Sequence, residues 1–387
     1  MKLRTGSKAL IREINESLVL DVVRAEGPVA RGVIAARTGL SAATITGITA
    51  QLLGAGLLQE TDVVRRTGGR PARLLQLGVD AVFAVGARVS AGEVVLALVD
   101  LGGAIVATER IPLDSTAPGD VLDAVASGVE RLSGARSAGE LIGVGVAVSG
   151  MVDSEHGVVR HSGTLGWEGV RLGPLLAERL GLPVRVDSYV NSVAAGALLL
   201  DARLEGESLL VFSVGASLGA SVVVDGRVQQ GHAGAAGGFA HWRIGTGAEP
   251  GRPCHCGAVD CLETRASAWG IARELERRRS DEPGAGRDGE AALEAAVAAE
   301  AAAALGQSMA NACKLFGPDR VILAFAPEAD RERLAEATVA VFGEQFAHEH
   351  APAPLVEITT AEPIDLSRGA AYVLLSQLFN AEYAIAA

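Results

Sequence analysis

Three of the chain's four cysteines fall within eight residues, Cys254-His255-Cys256-Gly257-Ala258-Val259-Asp260-Cys261, and a histidine, His241, precedes them. In a chain with no sign of export, thiols this close favour a metal over disulfides. Three thiolates need one more ligand to close a tetrahedron, and Cys3His is a common structural zinc set. His241 and His255 are the candidates. His255 lies between two ligating cysteines, where its ring has difficulty reaching the same ion, so the expected Zn2+ ligands are His241, Cys254, Cys256 and Cys261. Cys313, inside an apolar helical run, reads as core.

The second concentration of chemistry is electrostatic. The chain carries a net charge of −12, yet residues 1–78 hold eleven bases against six acids. A basic head on an acidic body points to a head that meets an anion. Within it, Leu10, Ile11, Ile14, Leu18 and Val22 recur at three and four, which predicts an amphipathic helix with that stripe buried. A second short helix over 29–38 closes at Gly39. Ser41 caps a third, whose buried stripe is Ile45, Ile48, Leu52 and Leu53. Three short helices with Gly39-Leu40-Ser41 at the turn read as a helix-turn-helix. Strands near 56–60 and 73–77 then flank a basic tip, Arg65-Arg66-Thr67-Gly68-Gly69-Arg70-Pro71. That is a wing, whose guanidinium groups suit the narrow minor groove of A/T-rich DNA. The expected DNA contacts are Ser41, Thr44, Thr46 and Thr49 from the third helix and Arg65, Arg66 and Arg70 from the wing. The helix is poor in Arg, Lys and Asn, so hydroxyls, methyl contacts and the wing carry more of the reading.

A chain of 387 residues is long for one domain. With 49% apolar and 21% charged residues it can bury enough surface to fold. Its apolar stretches, such as 209–224, are broken by Gly or Ser and fall short of the ~20 residues a membrane span needs. The polar N-terminus carries no secretory run, so a cytoplasmic protein is expected. Beyond Leu77, short strands at 82–89, 94–100, 141–148, 184–186, 209–214, 221–224 and 320–325 alternate with helical stretches at 119–132, 172–180, 191–200, 263–279, 290–316 and 328–348. This is the pattern of an α/β body with sheets covered on both faces. The phosphate-binding pattern G-x-x-x-x-G-K-[ST] is absent.

Three groups of residues together resemble the ROK family of repressors, open reading frames and sugar kinases. They are Gly234–His241 (G-x-x-G-x-x-x-H) with Cys254–Glu263 (C-x-C-G-x-x-x-C-L-E); Gly143–Asp153 followed by Leu165-Gly166-Trp167; and the winged head ending in Gly69-Arg70-Pro71. The resemblance covers nearly the whole chain. It implies an N-terminal winged helix-turn-helix (1–78) followed by a two-lobed, actin-like ATPase (ribonuclease H-like) α/β body, with lobes at 79–200 and 201–387. It also implies a homodimer or dimer of dimers, and either sugar phosphorylation or sugar-sensitive control of transcription.

Departures from the family pattern separate these two. Family kinases carry Asp-x-Gly-Gly-Thr after the first body strand; here Ala87-Arg88-Val89-Ser90-Ala91 stands there. The kinase Asn-Asp pair, whose Asp takes the proton from the attacking hydroxyl, aligns with Ser188 and Tyr189. A phenol with a pKa near ~10 is a poor base at neutral pH. Asp187 lies two residues from Tyr189 on the same strand face and is the carboxylate a slipped register would bring in. Of the usual sugar contacts only His241 and Glu263 persist, as the expected ligand-binding residues; Gly238, Ala240 and Thr164 replace the others. The adenosine-side loop reads Ala324-Phe325-Ala326 where a Gly pair is usual. The resemblance thus implies a DNA-binding transcription regulator, in its usual form a repressor and inactive as a kinase. Its partners would be a double-stranded operator and a sugar or other small effector. The alternatives are an ATP-dependent sugar kinase and a regulator that docks a protein partner.

Overall fold

The computed structural model describes residues 8–64, 72–135, 139–201, 204, 206–244, 251–281, 287–347 and 352–379. The head is built from helix α1 (Lys8–Glu26), strand β1 (Val29–Ala30), helices α2 (Arg31–Thr38) and α3 (Ala42–Gly54), and strands β2 (Leu58–Val64) and β3 (Ala72–Leu77). The three strands pair in the order β1-β3-β2. Gly39, at φ 70°, takes the left-handed position that stops α2, and the Ser41 hydroxyl accepts from the Thr44 N–H to start α3. The expected α3 stripe holds: Ile45, Ile48 and Leu52 are buried. The expected α1 stripe is turned. Leu10, Val19, Leu20 and Val23 are buried, while Ile11 is 55% and Leu18 38% exposed. This helix carries apolar residues on more than one face, and the surface it packs against selects which face is covered.

The first lobe centres on five strands: β4 (Val82–Val89), β5 (Glu93–Asp100), β6 (Ile105–Pro112), β7 (Glu140–Val148) and β11 (Val184–Ser188), ordered β11-β7-β4-β5-β6. Helices α4 (Pro118–Ser133) and α5 (Leu172–Leu180) cover one face over Val85, Ala87, Leu96, Leu98 and Val146. A small sheet of β8 (Met151–Asp153), β9 (Val158–Ser162) and β10 (Trp167–Val170) projects from it, and α6 (Tyr189–Leu200) follows β11. The second lobe pairs β12 (Leu209–Val214), β13 (Leu218–Val224), β14 (Arg227–Gln229), β15 (Arg320–Phe325) and β16 (Leu355–Thr360) in the order β14-β13-β12-β15-β16. Helices α7 (Glu263–Ala266), α8 (Ala268–Asp281), α9 (Arg287–Phe316) and α10 (Arg331–Glu344) accompany this sheet. Phe212, Phe325 and Phe342 lie at its centre, and Cys313 is core as its surroundings suggested. The single helix expected over 263–279 is broken between α7 and α8 at Ser267, whose hydroxyl accepts from the Gly270 N–H.

The last helix, α11 (Pro363–Leu375), crosses back onto the first-lobe sheet. A Cβ at Gly86 would lie 1.7 Å from the Ser367 carbonyl oxygen, and one at Gly145 1.9 Å from that of Ala370. These two glycines pair across β4 and β7 and make a groove that only bare backbone leaves open. A division into lobes at 79–200 and 201–387 therefore parts α11 from the sheet it covers. Its end also joins the head: Ala371, Tyr372, Leu375 and Phe379 share one apolar cluster with Val19, Leu20, Val23, Leu58 and Leu75. The Arg24 guanidinium stacks over Phe379 at 5.6 Å. Head and body are thus held by a continuous apolar seam. Among the described residues no single helix is long and apolar enough to cross a membrane.

Candidate functional site

The loop from His241 to Glu263 brings its four expected ligands together. Candidate ligand atoms of His241, Cys254, Cys256 and Cys261 all lie within 4.8 Å of one another. The Cys254 Sγ is 3.7 Å from the His241 Nδ1, and the Cys256 and Cys261 sulfurs are 3.7 Å apart. Two sulfurs bound to one zinc at ~2.3 Å in a tetrahedron stand about 3.8 Å apart, so the cage fits that ion. It does not fit a disulfide, in which the sulfurs are bonded at about 2.05 Å. Burial pushes the Cys261 thiol up to about 12 and raises that of Cys254. The Cys256 thiol is held below its ordinary value, against its burial, by hydrogen bonds involving Ala258, Cys254 and Cys261, and a bound cation would favour the thiolate form of all three. The loop geometry is local: Gly257 at φ 85° donates to the Cys254 carbonyl at 3.0 Å, and the Cys254 N–H donates to Ala258 at 2.8 Å. His255 lies outside the cage, its ring 5.1 Å from Trp269 and against Gly163.

A buried carboxylate anchors this loop to the helices behind it. Glu274 of α8 is 3% exposed and meets Arg252 at 3.0 Å, Arg277 at 2.8 Å and Arg278 at 2.6 Å. Burial alone would raise its pKa; the hydrogen bonds from Arg277 and Arg278 and the charge of Arg252 outweigh it and hold the group at about 2. A folded-state value below the ordinary 4.5 means stability that is complete above that pH and is lost as pH falls from there towards 2. Glu274→Gln is expected to lower stability by roughly 2–3 kcal/mol at neutral pH and to remove that part of the acid sensitivity. Melting curves at pH 7 and pH 3.5 check this; an unchanged gap between them would contradict it.

Beside the cage, between the lobes, lies a cavity of about 320 Å³. His241, Cys256 and Glu263 belong to its wall, with Ser149, His161, Thr164, Ser188, Tyr189, Asn191 and His255. Among the described lining residues Glu263 is the one acid, and there is no Lys or Arg. Glu263 is fully buried; its Oε2 accepts from the Leu218 N–H at 2.8 Å, while Oε1 has no protein partner. Burial pushes its carboxyl up to about 8, so the neutral acid, itself a donor, predominates at pH 7. Burial likewise lowers the pKa values of His241 and His255 and favours neutral rings. Ser149, His161 and Asn191 were not named as site residues from the sequence, and His255 was weighed there only as a zinc ligand, not as part of a cavity wall. Of these only His255, next to two cysteines, carried a local signal.

The two candidate bases are both committed elsewhere. The Tyr189 hydroxyl donates to the Ser217 carbonyl at 2.9 Å and spans the lobes; burial pushes its pKa up to about 12. Asp187 pairs in register with Ala147 and is 7% exposed. Its carboxylate accepts from Asn191 at 2.7 Å, from Gln230 at 2.8 Å and from the Ser188 N–H at 2.7 Å. It is not part of the cavity wall. Arg88, where the phosphate loop was sought, reaches across to Glu328 at 3.3 Å.

In the head, α2 and α3 meet at 117°. Ser41 and Thr46 are exposed and Thr44 half-buried. Thr49 is a correction: it is fully buried, donates to the Ile45 carbonyl at 2.8 Å and accepts from Arg31 at 3.1 Å. It sits on the side of α3 that faces α2 and the wing, which its own polarity did not reveal. Exposed in its place are Ala42, Ala43, Gly47 and Ala50. Arg65, Arg66 and Arg70 lie outside the described residues.

Comparison with known proteins completes the description. The profile of one family, described as the ROK family, matches residues 84–376. The DNA-binding transcriptional dual regulator NagC of Escherichia coli is 29% identical over 275 residues, covering 70% of this chain and 66% of that protein. The chain therefore spans slightly under two thirds of that relative's length. The xylose repressor of Caldicellulosiruptor bescii is 25% identical over 361 residues, 86% of this chain and 88% of that protein. A crystal structure of a ROK family transcriptional regulator, a homologue of the E. coli MLC protein, superposes with a TM-score of 0.77 at 23% identity, over 98% of this chain and 100% of that one. That likeness extends through head and body and shows the fold.

Proposed function

The chain belongs to the ROK family, and from that premise we propose that it is a DNA-binding transcription regulator, a repressor, without kinase activity. The observation that carries the reading is the head, where α2 and α3 cross at 117° in front of a two-stranded wing and α3 leaves one face free. The crossing falls in the range of a helix-turn-helix. Two such heads on a dimer would address half-sites one or two helical turns apart. Relatives that are themselves named repressors support the same reading.

The cleft would hold a small neutral effector. A hexose would find few of its hydroxyls paired, each pairing contributing roughly 0.5–1.5 kcal/mol, so a less hydroxylated ligand fits better than glucose. His241 and Glu263 would contact it. Zinc held by His241, Cys254, Cys256 and Cys261 would supply rigidity to the loop that carries both. Closing the lobes on a ligand would then shift α6 and α11 and the seam under the head.

A mobility shift with DNA from the protein's own locus is expected to give a specific complex at ~100 mM salt. Arg70→Ala should weaken it most on A/T-rich flanks, and an equal loss on every sequence would point to phosphate contact alone. Incubation with ATP, magnesium and hexoses should release no ADP above background, because Tyr189 offers no base. Turnover would overturn the assignment.

A further inference from the structure

The wing and the third helix of the head are joined through two side chains, Glu60 and Arg31, that the sequence did not mark. Glu60 lies on β2, and its Oε1 accepts from the Arg31 guanidinium at 3.1 Å while its Oε2 accepts from Arg73 on β3. Arg31 opens α2 and donates through Nε to the Thr49 hydroxyl at 3.1 Å. Thr49 is buried in α3 and donates to the Ile45 carbonyl. A continuous polar chain therefore runs from α3 through α2 to both strands of the wing. The Glu60 side chain is 27% exposed, that of Arg31 33% and that of Arg73 69%, so the far arginine keeps most of its surface free. An isolated surface ion pair does little for stability. A carboxylate shared by two guanidiniums from different elements acts differently, because the planar Arg31 group, with Nε on Thr49 and Nη2 on Glu60, fixes a direction as well as a distance, and Arg73 ties the other oxygen to β3.

We propose that Glu60 is a positioning residue for DNA recognition: it sets the wing at a defined angle to α3 and presents Arg31 and Arg73 to the DNA backbone. This rests on the reading of the head as a DNA-binding module. The sign of the effect separates positioning from charge. An acid near phosphates repels them, so by charge alone its removal should tighten binding to every duplex. By positioning, its removal should weaken binding to the preferred duplex and leave other DNA unaffected or bound more tightly.

The test uses the full chain and a duplex that the wild-type protein enriches from a randomised pool, with an unrelated duplex as reference. Glu60→Gln removes the charge at constant shape, and Glu60→Asp keeps the charge but is one methylene too short to hold both arginines. Both variants are expected to lose about five- to tenfold in affinity for the enriched duplex, so that the ratio of specific to non-specific binding falls. The proposal is overturned if Glu60→Gln binds the enriched duplex as tightly as the wild type or more tightly. It is also overturned if Glu60→Asp matches the wild type while Glu60→Gln falls, since the reach that lets one carboxylate hold both Arg31 and Arg73 would then not matter. A wild-type protein that enriches no sequence removes the reading of the head itself, a different result from either.

Discussion

Cys261→Ala is expected to lose the metal and to lower the melting temperature by about 8–15 °C. The cysteine is fully buried, and its carbonyl also accepts from the Thr264 N–H and hydroxyl at the start of α7. Without its sulfur the cage keeps three ligands, and the loop from 241 to 263 loses the tie between His241 and the cysteines. Structural zinc in small isolated fingers contributes about 10–16 kcal/mol, where the whole fold depends on it. With zinc in this cage only one stretch of chain would depend on it, so a loss of roughly 3–5 kcal/mol is the appropriate scale. For domains of this size each kcal/mol shifts the midpoint by about 2–4 °C. Elemental analysis and calorimetry on the same samples check both parts. Wild-type protein carrying less than about half an equivalent of zinc, with a variant that melts beside it, would remove the metal centre from the account. Because His241, Cys256 and Glu263 also belong to the cavity wall, ligand binding should fail together with the metal.

Gly145→Ala is expected to destabilise the protein by about 3 kcal/mol or more, for a purely geometric reason. The added carbon would sit 1.9 Å from the Ala370 carbonyl oxygen and 2.5 Å from its carbon. Both are backbone atoms of α11, with no flexible side chain to move aside. The helix must lift from the sheet, which disturbs Ala371, Tyr372 and Leu375 in the seam with the head. A loss of sequence-specific DNA binding should therefore accompany the fall in melting temperature. Gly343→Ala in α10 is the control: nothing lies within 4 Å of its new carbon, and helix propensity favours the change by up to about 1 kcal/mol. Equal melting temperatures for Gly145→Ala and wild type would show that α11 does not bear on the sheet as closely as described.

The metal cage was legible because its information is local. Three cysteines and a turn glycine within eight residues define a donor set whatever packs around them, and His241 then completes it. The third helix of the head was legible for a similar reason, since Ser41 and the Ile45, Ile48, Leu52 spacing act within one element. Reading by residue type failed at Thr49. A threonine on an amphipathic helix looks solvent-facing, but here α2 and the wing supply it with Arg31 and an inward position. Ile11 and Leu18 failed conversely, as apolar residues on a face that nothing described covers.

From the sequence alone came the donor set, the expectation of a winged head and the alternating α/β body, which rest on periodicity or on spacing within short segments; the expectation that Tyr189 stands where family kinases carry their catalytic carboxylate came from the family resemblance instead. Only the folded chain decided that α11 returns to the first sheet over Gly86 and Gly145, that Tyr189 closes on Ser217, that Asp187 is held by Asn191 and Gln230, and that Glu60 and Arg31 join the wing to α3. Each of these joins residues far apart in the chain. Such contacts depend on how whole elements stack, and a linear pattern does not carry that stacking.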